Sequence, residues 1–137
     1  MMNIELSDKE FRRLLDLVYI GNWILNSTRV DNDLLEDYEL LQEKFFELCA
    51  QKGLNALVDI YNGHYFPSRA YEEGGIHEAI ANYEDAVFFD ILAEELARRD
   101  MLEENLSQND FGELSSRIDA YMDEFEQNGI DNLRTEE

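Results

Sequence analysis

The chain has 137 residues, of which 45% are hydrophobic and 12% aromatic, enough to bury a real core and to exclude wholesale disorder. Its formal net charge of -21 lies far outside the range of about 2 to 8 usual for a small domain. A field of that sign repels phosphate, so direct binding to nucleic acid or to an anionic membrane is not expected.

The N-terminal stretch "MMNIELSDKEFRR" has no basic segment followed by an apolar run, and the longest apolar run, "LVYI", is too short to span a bilayer. The single cysteine, Cys49, has no internal partner for a disulfide and sits among core-type positions. These features place the chain in the cytoplasm, where the sequons at Asn26 and Asn105 are chance matches. Charge is uneven: residues 1–29 sum to zero, 30–62 to -6, 63–99 to -5 and 100–137 to -10. The neutral leading segment is expected to be a central helix with acidic helices around it.

The first helix begins at Ser7, where "SDKE" has the capping-box form. On a wheel of 100° per residue, Phe11, Leu14, Leu17, Val18, Gly21, Ile24 and Leu25 share one apolar arc. Arg12, Asp16, Tyr19, Asn22, Trp23 and Asn26 take the other side. An interior glycine costs ~1 kcal/mol of helix propensity, so Gly21 is read as a point where a neighbouring helix approaches closely.

The second helix is "DNDLLEDYELLQEKFFELCAQKG", capped by Asp31 or Asn32 and closed by Gly53. Leu34, Tyr38, Leu41, Phe45 and Leu48 form its apolar stripe, and Glu36, Glu39, Glu43 and Glu47 a solvated ridge opposite. A short third helix over "LNALVDIYN" turns Leu54, Leu57, Val58 and Tyr61 inward. No hairpin is expected anywhere.

Residues 63–79, "GHYFPSRAYEEGGIHEA", interrupt the helical reading with both histidines, the only proline and a Gly74-Gly75 pair. They are expected to form a long loop between the short helix and the fourth helix. The fourth helix runs from about Ile76 to Arg99 and is apolar nearly all round, so it is expected to be sandwiched within the domain or between two subunits. Glu94 with Arg98 and Glu95 with Arg99 have the order of i,i+4 ion pairs. The last helix, from near Asp110 to Gln127, carries Phe111, Leu114, Ile118, Tyr121 and Phe125 on one face and stops at Gly129. The fold class is therefore all-α: a single domain over residues 1–137, four main helices plus one short one, with 131–137 as a frayed acidic tail.

Templates for chemistry mostly fail. There is no nucleophile elbow and no phosphate-binding glycine motif, and the zinc-protease spacing is broken at Ala81, the di-iron spacing at Tyr61 and Gly74, and the calcium loop at Glu36 and Gln42. "EDYE" gives Glu36 and Glu39 the first half of a magnesium-binding pair, but no second half follows. His64, Glu73 and His77, with Glu72, remain as candidate ligands for a divalent transition metal, since imidazole and carboxylate suit such ions. Asp90 falls inside an apolar arc and needs either a buried partner or a role lining a cleft. Tyr61, Tyr65, Phe66, Arg69 and Tyr71 give the loop the amphipathic aromatic composition of contact surfaces.

The sequence thus predicts a non-enzymatic interaction or regulatory module, a homodimer through its fourth helix, that binds a basic or amphipathic protein partner and needs no cofactor. The alternative is a metal-binding protein or metal-assisted hydrolase using His64, His77, Glu73 and Asp90. A third reading is a small-molecule sensor framed by the aromatic loop.

Overall fold

The structure is a computed structural model in which residues 1–136 are described. It is mostly helical and contains a small two-stranded sheet, so the all-α expectation is corrected at one place. The chain divides into two compact units, Met1–Ile80 and Ala81–Glu137.

The first unit opens with α1, Asp8–Asn26, whose start is the capping box read from the sequence. The Ser7 hydroxyl accepts from the Glu10 N–H at 3.2 Å and the Glu10 carboxylate accepts from the Ser7 N–H at 3.0 Å. α2 covers Glu36–Gln51 and starts later than predicted, because Asp31–Asp33 form a separate 3₁₀ turn. Its N-cap is Leu35, which has no capping side chain of its own.

The two helices meet through faces that match the predicted ones only in part, Phe11 and Cys49 being buried as expected. α1 buries Phe11, Leu15, Tyr19, Asn22 and Asn26, and α2 buries Phe46 and Cys49. Asn22 Nδ2 donates to Glu39 Oε1 at 3.2 Å and to Gln42 Oε1 at 3.1 Å, bridging the helices. Hydrogen bonding makes these polar groups acceptable inside, since a satisfied amide avoids the desolvation cost that an orphaned one bears. The predicted apolar arc of α1 is consequently turned outward: Leu17 is 68% and Ile24 54% exposed, and Gly21 is exposed between them. On α2, Tyr38 and Leu41 are exposed as well. Within the first unit, α1 is buried on one face and exposed along the other, so the elements of that unit do not enclose it as a central helix.

The predicted short third helix is instead a 3₁₀ turn, Asn55–Leu57, followed by β1, Val58–Tyr61. β2 follows at His64–Pro67 and pairs antiparallel with β1, Val58 opposite Pro67 and Tyr61 opposite His64. The hairpin turn is Asn62-Gly63, with φ of 51° and 76°. Positive φ at both central residues makes the tight turn whose twist matches paired strands, which is why Asn-Gly suits it. A short α3, Arg69–Tyr71, is capped by Ser68 and runs through a wide helical turn, Glu72–Ile76, kinked at Gly75, into the start of α4. The core here is Phe11, Leu15, Tyr19, Phe46, Cys49, Val58, Tyr71 and Ile80.

α4 spans His77–Glu103 and α5 spans Phe111–Asn128. From Ala81 onward these two helices make the second unit. Ala97, Met101 and Leu114 are buried together, with Ile118 and Tyr121 against them. Phe89 meets Phe125, ring centroids 5.4 Å apart. Phe111 stays outside the predicted stripe of α5, because it is the first helical residue and is 67% exposed. Of the two expected ion pairs, Arg98 with Glu94 forms at 3.2 Å, whereas Arg99 turns to Asp100 at 2.8 Å. Residues 133–136 have no regular structure, and the end of the predicted tail, Glu137, lies outside the described residues.

Candidate functional site

The stretch predicted as a long loop is folded, and folding separates its candidate residues. In the hairpin, alternate side chains take opposite faces. Tyr65 packs on the core of the first unit, whereas Tyr61, 70% exposed, and Phe66 point away from it. Tyr71 is 1% exposed and is the largest fully buried side chain of the chain. Its ring meets Tyr19 and Phe46 edge-on at 5.2 Å each, and its hydroxyl donates to Asp16 Oδ1 at 2.8 Å. Tyr71 is therefore a core residue rather than part of a contact surface. Arg69 is exposed and pairs with Glu73 at 2.7 Å.

The candidate metal ligands do not converge. His64 Nδ1 lies 2.9 Å from Glu43 Oε1 on α2, and Glu73 is held by Arg69. His77 Nε2 is hydrogen-bonded to the Tyr19 hydroxyl at 2.6 Å, with the Trp23 ring packed edge-on 6.0 Å away. Among the described residues no group of three His, Cys, Asp or Glu side chains is arranged to hold a metal ion. Asp90 belongs to the second unit and is exposed on α4, so the expected burial in an apolar arc is corrected.

Two polar constellations escaped the sequence reading. The first joins α1 to α3: Arg12 donates to Asp16 at 2.5 Å, Asp16 accepts from Tyr71, and the Arg12 guanidinium lies over the Tyr71 ring at 4.9 Å. A cleft of about 380 Å³ opens beside it, lined by Arg12, Arg13, Asp16 and Gly75 among others. Burial, reinforced by the Glu72 carboxylate, pushes the Tyr19 phenol up to about 12. Burial first, then the hydrogen bond to Asp16, raises Tyr71 as well. Both phenols thus stay protonated donors across the physiological range, which suits them to hold helices together rather than to shuttle protons. The second constellation is Glu43, whose Oε1 accepts from the Tyr65 N–H at 3.1 Å as well as facing His64. That backbone hydrogen bond, with the imidazole second, holds the Glu43 carboxyl below its ordinary range.

Nothing here resembles an activated nucleophile. The Cys49 thiol is fully buried, and burial pushes its pKa up, which leaves it inert.

The surface that is not accounted for lies on α4. Tyr83 is 59%, Phe88 50% and Ile91 60% exposed, with Val87 half-buried on the same run. Glu84, Asp85 and Asp90 are exposed between them. Tyr83, Phe88 and Ile91 are left uncovered by this chain's own elements, so the predicted sandwich is not formed there within a single chain. Large aromatic side chains left outside in this density are what interaction surfaces carry. No family model, curated protein or solved structure matches the chain. Among the described residues, no helix is long and apolar enough to cross a membrane.

Proposed function

We propose that the chain is a non-enzymatic interaction module whose α4 takes up a basic, amphipathic segment of a protein partner. The observation that carries this reading is the exposed row Tyr83, Phe88 and Ile91 set among Glu84, Asp85 and Asp90. Burying those rings and the isoleucine removes apolar area from water, the dominant favourable term in most associations. The carboxylates around them select a partner of opposite charge and speed its encounter, with the chain's charge of -21 acting at longer range. An amphipathic helix with lysine or arginine on one side satisfies both demands, whereas an acidic one meets the apolar demand and is repelled by the carboxylates.

The test uses calorimetric titration of the full chain with a synthetic leucine–lysine amphipathic helix, and with a leucine–glutamate helix of the same pattern. The basic peptide is expected to bind saturably with a negative heat-capacity change, the mark of apolar burial, and the acidic peptide not at all. Replacing Tyr83, Phe88 and Ile91 together by serine leaves every carboxylate in place. If that variant binds the basic peptide as tightly as the unmodified chain, attraction is charge alone and the α4 reading fails.

A further inference from the structure

We propose that the outward apolar ridge of α1 is the docking face for a second copy of this chain, the two α1 helices lying antiparallel across a two-fold axis. The ridge consists of the exposed Leu17, Gly21 and Ile24, flanked by the half-buried Leu14, Val18 and Leu25. These six positions lie within about 120° of the helix circumference and rotate away from the arc that carries Phe11, Leu15, Asn22 and Asn26 into the core. α1 therefore has two faces, one used by the fold and one not used by it. Spacings of 4, 3 and 4 along Leu14, Val18, Gly21 and Leu25 are those of a helix that packs along its length against another helix.

Charge identifies the occupant. Residues 1–29 sum to zero, while each of the three following segments carries -5 or more. Of the surfaces this chain offers, α1 is where a copy of itself meets the least like charge, and where a basic partner finds the least attraction. Antiparallel alignment also sets the two helix dipoles in opposition and keeps Arg12 and Arg13 of one copy away from those of the other. Centred between residues 19 and 20, it places Leu14 opposite Leu25 of the other copy and Val18 opposite its Gly21. The packing is isologous, as a two-fold dimer requires.

Gly21 supplies a separate argument. Among the described residues, apart from its chain neighbours and the adjacent backbone of its own helix, no atom lies within 4 Å of the place a Cβ would occupy there. The fold of a single chain therefore makes no use of the missing side chain, although an interior glycine is among the least favourable helix residues. A second helix seated on the ridge uses it, since the glycine lets the two backbones approach.

At 1.5 Å per residue the ridge from Leu14 to Leu25 is about 17 Å long. A helix pair of that length buries less than the roughly 800 Å² per partner of a standard interface, the size range of weak, reversible association. The face is distinct from α4, and the two proposals fail separately.

Sedimentation equilibrium of the full chain, from about 2 to about 200 μM in physiological salt, is the test, a range that extends to such weak association. The mass is expected to rise from 16.1 kDa toward twice that value. The double variant Leu17→Glu/Ile24→Glu is expected to stay monomeric with an unchanged helical circular dichroism spectrum, both side chains being exposed. Phe88→Ser, on α4, is expected to dimerise like the unmodified chain. Gly21→Leu is expected to weaken the dimer at least tenfold while folding normally. A chain that remains monomeric throughout the range overturns the proposal. So does a Leu17→Glu/Ile24→Glu variant that dimerises undiminished. A Gly21→Leu variant that pairs as tightly as the unmodified chain overturns the close antiparallel packing.

Discussion

Replacing Asn26 by alanine is expected to destabilise the first unit by more than its small change in volume suggests. Asn26 is 5% exposed, and its carboxamide spans the connection between α1 and α2. Nδ2 donates to Asn22 Oδ1 at 2.7 Å and to the Leu35 carbonyl at 3.2 Å, and Oδ1 accepts from the Leu35 N–H at 2.8 Å. Leu35 begins α2 without a capping side chain, so Asn26, nine residues away in the chain, holds that helix end instead. The Leu35 carbonyl keeps the Tyr38 and Glu39 N–H groups as donors after the substitution. Its own N–H, which is part-buried, and Asn22 Oδ1, which is buried, lose their partner in Asn26. At about 1–3 kcal/mol for each of these two groups left unsatisfied, the expected loss is about 2–6 kcal/mol. That is a large share of the roughly 5–15 kcal/mol by which domains are stable. Urea unfolding followed by the fluorescence of Trp23, the single tryptophan and itself on α1, reads this unit directly. The midpoint is expected to fall with the slope unchanged, and Asn22→Ala is expected to couple to Asn26→Ala by about 0.5–3 kcal/mol in a double-mutant cycle. A loss below about 0.5 kcal/mol, the range of ordinary surface substitutions, would refute the argument that this amide holds the two helices together.

The other expectations follow the same logic. Tyr71→Ala is expected to cost about 3–5 kcal/mol in urea unfolding, as removal of a buried aromatic does, whereas Tyr61→Ala stays within about 0.5 kcal/mol. Because the folded-state pKa of Glu43 is depressed, its contribution is present above the ordinary carboxylate pKa of about 4.3 and is lost as pH falls through the lower folded value. Glu43→Gln is therefore expected to show a shallower decline in thermal midpoint between about pH 6 and about pH 3 than the unmodified chain. An equal or steeper decline would mean that the contact with Tyr65 and His64 does not distinguish the charged form.

How much of this was legible in the letters depended on whether the signal was local. The capping box at Ser7 was readable because all its partners lie within four residues. The run Leu114, Ile118, Tyr121 was readable because a two-helix unit has one apolar seam and nothing competes for it. The hairpin was missed although "YNGH" holds the Asn-Gly pair that tight hairpins favour. Its strands are only four residues each, and Leu54, Leu57 and Val58 imitate helical spacing across the boundary. The face of α1 was misassigned for a different reason. Hydrophobicity ranks Leu17 and Ile24 above Asn22 and Asn26, but it does not know that Glu39, Gln42 and Leu35 will supply the asparagines with partners. Glu43 was hidden in the same way: within a row of glutamates, only the folded hairpin marks the one that accepts a backbone N–H.

That misassignment bears on function more than any motif does. A helix with an apolar arc and a polar arc ordinarily hides the first and shows the second. α1 does the reverse because its polar arc mixes Tyr19, Asn22 and Asn26 with the groups that satisfy them, leaving Leu17, Gly21 and Ile24 outside. On α2 the predicted stripe is divided instead: Phe45 and Leu48 pack on the core beside the buried Phe46 and Cys49, while Tyr38 and Leu41 are exposed. Were exposure of apolar side chains only the excess that any small protein carries, it would be scattered singly over the surface. On α1 it is aligned along one ridge in the one segment without net charge, and on α4 it is aligned among acids. Two ordered faces of opposite electrostatic character fit two different occupants, a like chain on the neutral one and a cationic partner on the acidic one.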